Sequence, residues 1–113
     1  MRSIKLLPVL TAIVIVSTPL VAQAAEFTVT QTDKTFKMNG EKVEALTIKV
    51  GDSIKFLNED PWSHNVFSLS ATKNFDLGSY PKGQSKSVTF DKPGQVEIEC
   101  SIHPQMRLHL EVK

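Results

Sequence analysis

The chain has 113 residues, 13 Lys plus Arg against 12 Asp plus Glu, a net charge of +1 and a single cysteine. That length supports one small domain with a modest core. The near-neutral, unclustered charge argues against a nucleic-acid surface, and one cysteine excludes an internal disulfide.

Arg2 and Lys5 precede the apolar run Leu6 to Val16, and Ala22-Gln23-Ala24 supplies the small-x-small pattern of a processing site. Residues 1–24 therefore read as a cleaved Sec-type signal peptide, cut after Ala24, with Ala25 the second choice. An uncleaved anchor is the alternative, but the apolar run falls short of the about 20 residues a membrane-spanning helix needs. The expectation is an exported periplasmic protein without membrane insertion after cleavage. Loss of Arg2 and Lys5 leaves 11 basic against 12 acidic residues, a net charge of −1. A lone cysteine in an oxidising compartment calls for one of three explanations: a dimer bridge, a buried inert thiol or a metal ligand.

Residues 25–113 alternate between apolar and polar positions, with turn residues every eight to twelve positions. Phe27 to Thr30, Leu46 to Val50 and Ile54 with Phe56 read as strands. Around Val66 to Leu69 the apolar run leaves the inward face open, either Val66 with Ser68 or Phe67 with Leu69. The segment Ala71 to Gln84 reads as a longer loop with room for one short helical turn. Val88 with Phe90, Val96-Ile98-Cys100 and Leu108-Leu110-Val112 complete the pattern. Asn39-Gly40 and Gly51-Asp52 are hairpin signals, because these residues tolerate positive φ, and Lys92-Pro93-Gly94 joins two strands. No stretch carries a helical stripe. The fold class expected is all-β, an antiparallel β-sandwich of seven to eight strands.

The chemistry-bearing segment is Val96 to Lys113, "VEIECSIHPQMRLHLEVK". The alternation points Cys100 inward, in line with Val96 and Ile98. His103 and Met106 follow at a C-x2-H-x2-M spacing on a short turn. A fourth donor is available in "NEDPWSHNVFSL", where the loop Glu59 to Ser63 runs into a strand at His64. Two imidazoles, a thiolate and a weak axial thioether form the donor set of a copper electron-transfer centre. Zinc competes for Cys and His, but its sites take Cys, His or carboxylate, and the thioether favours copper. His109 alternates outward, away from Cys100. It reads as a surface histidine or, with Glu97, Glu99 or Glu111, as an accessory copper site. Met38 reads as a packing or turn residue.

With these residues in place, the sequence resembles the cupredoxins, the small blue-copper proteins. "VGDSIKFLNEDPWSHNVF" is similar to their lead into the first histidine ligand, and "VTFDKPGQVEIECSIHPQM" to their hairpin and ligand loop. Within the family the short loop, with Pro104 after the second histidine, is most similar to the amicyanin type; plastocyanins and pseudoazurins have a longer gap before the methionine. The resemblance implies a Greek-key sandwich carrying one type 1 copper ion on His64, Cys100, His103 and Met106. It implies that Asn65 ties the two ligand loops together by hydrogen bonding. Ile102 departs from the proline found there in amicyanins and plastocyanins, which bears on the partner surface.

Function follows as an expectation. The chain carries single electrons between periplasmic redox partners, such as c-type cytochromes or a dehydrogenase, as a monomer in transient contacts. His103 is the electron port, with Pro61, Trp62, Ile102 and Pro104 around it as a docking patch; Trp62 reads equally as a loop residue packed on the sandwich end. Copper tolerance, with the protein binding or oxidising copper, is the alternative. An enzyme is not expected, because an inward thiol at a sandwich end faces no substrate cleft.

Overall fold

The computed structural model describes residues 3–5, 7–17 and 23–113. The segment read as a signal peptide falls partly outside them, at residues 1, 2, 6 and 18–22, which include Ala22 of the processing pattern. Residues 7–17 form neither helix nor strand, and their apolar side chains, Leu7 and Ile13 among them, are exposed. Among the described residues no helix is long and apolar enough to cross a membrane.

The described residues form ten strands: β1 Glu26–Thr32, β2 Thr35–Met38, β3 Glu41–Lys42, β4 Ala45–Ile48, β5 Ser53–Asn58, β6 His64–Ser70, β7 Lys73–Tyr80, β8 Ser85–Thr89, β9 Gly94–Cys100 and β10 Arg107–Val112. They form two five-stranded sheets, ordered β3-β2-β1-β5-β8 and β4-β10-β9-β6-β7. The all-β sandwich is therefore as expected. Most neighbours are antiparallel, but β1 with β5 and β4 with β10 are parallel.

The inner faces meet over Val29, Phe36, Ile54 and Phe56 from one sheet and Val66, Val96, Ile98, Leu108 and Leu110 from the other, all at most 1% exposed. Burying such side chains contributes about 1.5–3 kcal/mol each. Phe36 and Phe56 pack edge to face at 6.2 Å, and Phe75 and Phe90 do so at 6.1 Å.

Three details differ from the sequence reading. The stretch taken for a loop at Ala71 to Gln84 contains β7, an edge strand paired with β6. Its alternation runs through Phe75 and Leu77 but slips at Gly78, whose φ of 68° breaks the period before the buried Tyr80. A bulge of this kind adds a residue and hides the period-2 signal. Val50 is 45% exposed, because β4 ends at Ile48 and the chain turns at Gly51. The strand count rises to ten because β2 and β3, which flank Asn39-Gly40, and β7 are added. In β6 the open choice resolves: His64, Val66 and Ser68 face inward, while Leu69 is 75% exposed.

Topology collects several strand ends at one edge of the sandwich. β6 begins at His64, and antiparallel β9 ends at Cys100. β10 begins after Met106, and β1 and β5 end at Thr32 and Asn58. This edge carries every candidate ligand.

Candidate metal centre

His64 is the first residue of β6 and is fully buried. Cys100, 2% exposed, is the last residue of neighbouring β9, where its Cα pairs with Val66. Strand alternation thus sends both side chains into the sandwich end. The loop from Cys100 to Met106 closes on itself: Met106 N–H donates to the His103 carbonyl at 2.9 Å, and Cys100 N–H donates to the Met106 carbonyl at 3.3 Å. This tight return sets the partly buried His103 over the site and seals Met106 at 1% exposure.

The donor atoms converge. His64 Nδ1 lies 3.1 Å from His103 Nδ1, and Cys100 Sγ lies 3.8 Å from the first and 3.9 Å from the second. His64, Cys100 and His103 form a cluster in which one donor atom from each lies within 4.8 Å of the others. With metal–nitrogen bonds of about 2.0 Å, tetrahedral geometry separates two nitrogens by roughly 3.3 Å. The observed spacing is close to that.

A second set of contacts braces these donors. Asn65 Nδ2–H donates to Ser101 Oγ at 3.2 Å, linking the residue after His64 to the residue after Cys100. Behind His64, Nε2 lies 2.7 Å from Asp60 Oδ2, and both side chains are at most 3% exposed. A carboxylate only accepts, so Nε2 carries the proton and Nδ1 is left as the donor facing Cys100. Burial pushes the Asp60 carboxyl up, but the Lys34 N–H, the His64 ring and the Asp33 N–H outweigh it and hold it below the ordinary value. Asn58, also fully buried, donates to the carbonyls of Trp62 and Tyr80 and accepts the Asp60 N–H, which shapes the loop ahead of His64.

The family model for copper-binding proteins of the plastocyanin/azurin family matches residues 25–113. The chain belongs to that family. It is 31% identical over 110 residues to the methylamine utilization protein MauL of Methylorubrum extorquens, covering 96% of this chain and 92% of that one. It is 34% identical over 74 residues to amicyanin of Paracoccus denitrificans, covering 63% of this chain and 56% of amicyanin. The Cu(I) structure of a methionine-to-alanine mutant of amicyanin superposes with a TM-score of 0.65 at 26% identity, over 83% of this chain and 87% of that chain. A copper-containing nitrite reductase from Thermus scotoductus matches at 24% identity over 25% of its own length, a likeness of fold alone.

For a member of the plastocyanin/azurin family, the cofactor is one type 1 copper ion, and the donors fit it. Two imidazole nitrogens and a thiolate sulfur with a buried methionine alongside match copper's taste for soft and borderline ligands. His109 lies outside this centre. It stands on the outward face of β10 opposite Glu97, with Nδ1 against Glu97 and Nε2 against Gln95. Met38 is partly buried against the core. Trp62 and Ile102 are 45% and 53% exposed, with Pro61 and Pro104 also exposed, and the Lys34 ammonium sits 5.0 Å over the Trp62 ring. Asp60 is the residue that sequence reasoning missed. Its signal was an acid four residues before the first histidine, in a loop about to enter a buried strand.

Proposed function

We propose that this protein carries single electrons between periplasmic redox partners, with copper held by His64, Cys100, His103 and Met106. The observation that carries the reading is the convergence of His64 Nδ1, Cys100 Sγ and His103 Nδ1 at one end of a rigid sandwich. Copper supplies a one-electron couple there. The protein's residues do the rest. Cys100 must lose its proton to ligate. The hydrogen-bonded loops hold both imidazoles in place, so little rearrangement accompanies a change of charge. Partly buried His103 is the exit toward solvent, and exposed Pro61, Trp62, Ile102 and Pro104 form a small apolar rim for transient docking.

The relatives favour a carrier over the copper-tolerance reading, since one is named for methylamine utilization. A c-type cytochrome or a periplasmic dehydrogenase is the class of partner proposed, with the protein acting as a monomer and without catalysis of its own. Export after cleavage behind Ala24 is part of this proposal; the new N-terminus would then face Asp52, whose buried carboxylate accepts the Ala25 N–H at 2.8 Å. A second copper at His109 has less to rest on, because both ring nitrogens already face oxygen atoms. Titration ending at one copper per chain rejects it.

The test is optical. The protein of residues 25–113 loaded with Cu(II) is expected to show an intense visible thiolate-to-copper absorption that is absent in Cys100→Ser and bleaches with one electron equivalent. A colourless adduct overturns the reading.

A further inference from the structure

We propose that Asp60 is a positioning residue that lowers the reduction potential of the centre, through its contact with the far side of the His64 ring. This rests on the ligand assignment above.

Three donors from two segments, the β1–β2 turn and the start of β6, converge on this one carboxylate. Asp60 Oδ1 accepts the Asp33 N–H at 2.6 Å, and Oδ2 accepts the Lys34 N–H at 2.9 Å and the His64 Nε2–H at 2.7 Å. Asp33 and Lys34 are the tip of the β1–β2 turn, and both hold positive φ, 53° and 55°. That conformation is uncommon for residues other than glycine. The turn thereby aims two backbone donors at a carboxylate that is 2% exposed. An ionised group so far from water persists only when it is hydrogen-bonded in this way.

Two consequences follow for His64. The bond locks the ring, leaving Nδ1 as the donor atom. It also places a full negative charge one imidazole away from that atom, in surroundings that screen it poorly. Carboxylate–histidine pairs raise the basicity of the ligating nitrogen. Cu(II) carries one positive charge more than Cu(I), so both effects stabilise the oxidised ion more than the reduced one. Reduction takes one electron from the partner and moves no proton in this scheme.

The experiment compares copper-loaded wild type with Asp60→Asn and Asp60→Ala by equilibrium potentiometry. Loss of the charge is expected to reduce the preference for Cu(II) over Cu(I) at least tenfold, a rise of about 59 mV for a one-electron couple. A purely structural role weakens both oxidation states alike and leaves the potential unchanged, which overturns the proposal. If both variants fail to fold, nitrogen NMR of the copper-free wild type at about pH 8, above the ordinary histidine range, decides. A protonated Nε2 and a bare Nδ1 on His64 are expected, and a bare Nε2 overturns the proposal. Wild type lacking the thiolate-to-copper absorption instead sinks the ligand assignment itself.

Discussion

The Nδ1 atoms of His64 and His103 lie 3.1 Å apart, closer than two protonated rings tolerate. Burial pushes His103 below the ordinary histidine range, and the charges of His64 and Lys34 push it further, with Asp60 opposing. The unfolded chain, with an ordinary value of about 6.5, therefore binds more protons than the folded one in that window. The associated stability is present above the ordinary value and is lost as pH falls through the folded one. Copper-free protein is expected to melt at a lower temperature at pH 5 than at pH 7.5, and His103→Asn to show a shallower dependence. Equal slopes in the two proteins refute the assignment to His103.

Asn65 and Ser101 join the two ligand segments through one hydrogen bond at 3.2 Å. Ser101→Ala removes a neutral bond at the surface, so a loss of about 1 kcal/mol is expected. The more telling readout is kinetic: copper transfer to a chelator should accelerate, since His64 and Cys100 would move more independently. An unchanged release rate excludes the brace.

Gly94 opens β9 with a φ of 142°, and a Cβ built there would lie 2.5 Å from Thr72 Oγ1. Gly94→Ala combines backbone strain with a clash and should cost about 1–3 kcal/mol in denaturant unfolding. Adding Thr72→Ala relieves the clash alone, so partial recovery is expected. Full recovery shows that the backbone conformation carries no strain.

Asp52 accepts the N–H groups of Ala25 at 2.8 Å and Lys49 at 2.9 Å. These bonds, Ala25 first, hold its carboxyl below the ordinary aspartate value despite burial. Cleavage behind Ala24 would turn the Ala25 nitrogen into an ammonium against that carboxylate. The protein beginning at Ala25 is expected to unfold at a higher temperature than the uncut chain at neutral pH. The difference should shrink in Asp52→Asn. The contribution of Asp52 is present above the ordinary aspartate value and fades as pH falls through the folded one. Equal melting of cut and uncut chains argues against the pair.

Trp62 and Ile102 are 45% and 53% exposed, and the Lys34 ammonium lies over the Trp62 ring. In the docking role proposed above, Trp62→Ala should slow electron transfer to a c-type cytochrome several-fold while leaving the visible spectrum intact. Unchanged partner kinetics removes Trp62 from the contact.

Much of this protein is legible along the chain. Period-2 alternation marks β9 and β10 and settles that Cys100 points inward and His109 outward, because successive side chains on a strand take opposite faces. The C-x2-H-x2-M spacing is local, so His103 and Met106 stand out next to Cys100. Strand β7 was illegible because the bulge at Gly78 shifts the alternation before Tyr80. The inward face of β6 was undecided because Val66-Phe67 offers apolar residues to both sides. Of Asp60 the chain shows only an acid four residues before His64, and what that acid contacts belongs to the tertiary structure. Its partners sit 27, 26 and 4 residues away, and two of them are backbone N–H groups that no side-chain pattern records. By itself the sequence determined which residues carry ligating atoms and which way their strands present them. The packing of the β1–β2 turn against the loop before His64 decided which ring nitrogen faces Cys100, since the two N–H groups of the turn hold Asp60 in place as the acceptor for the other.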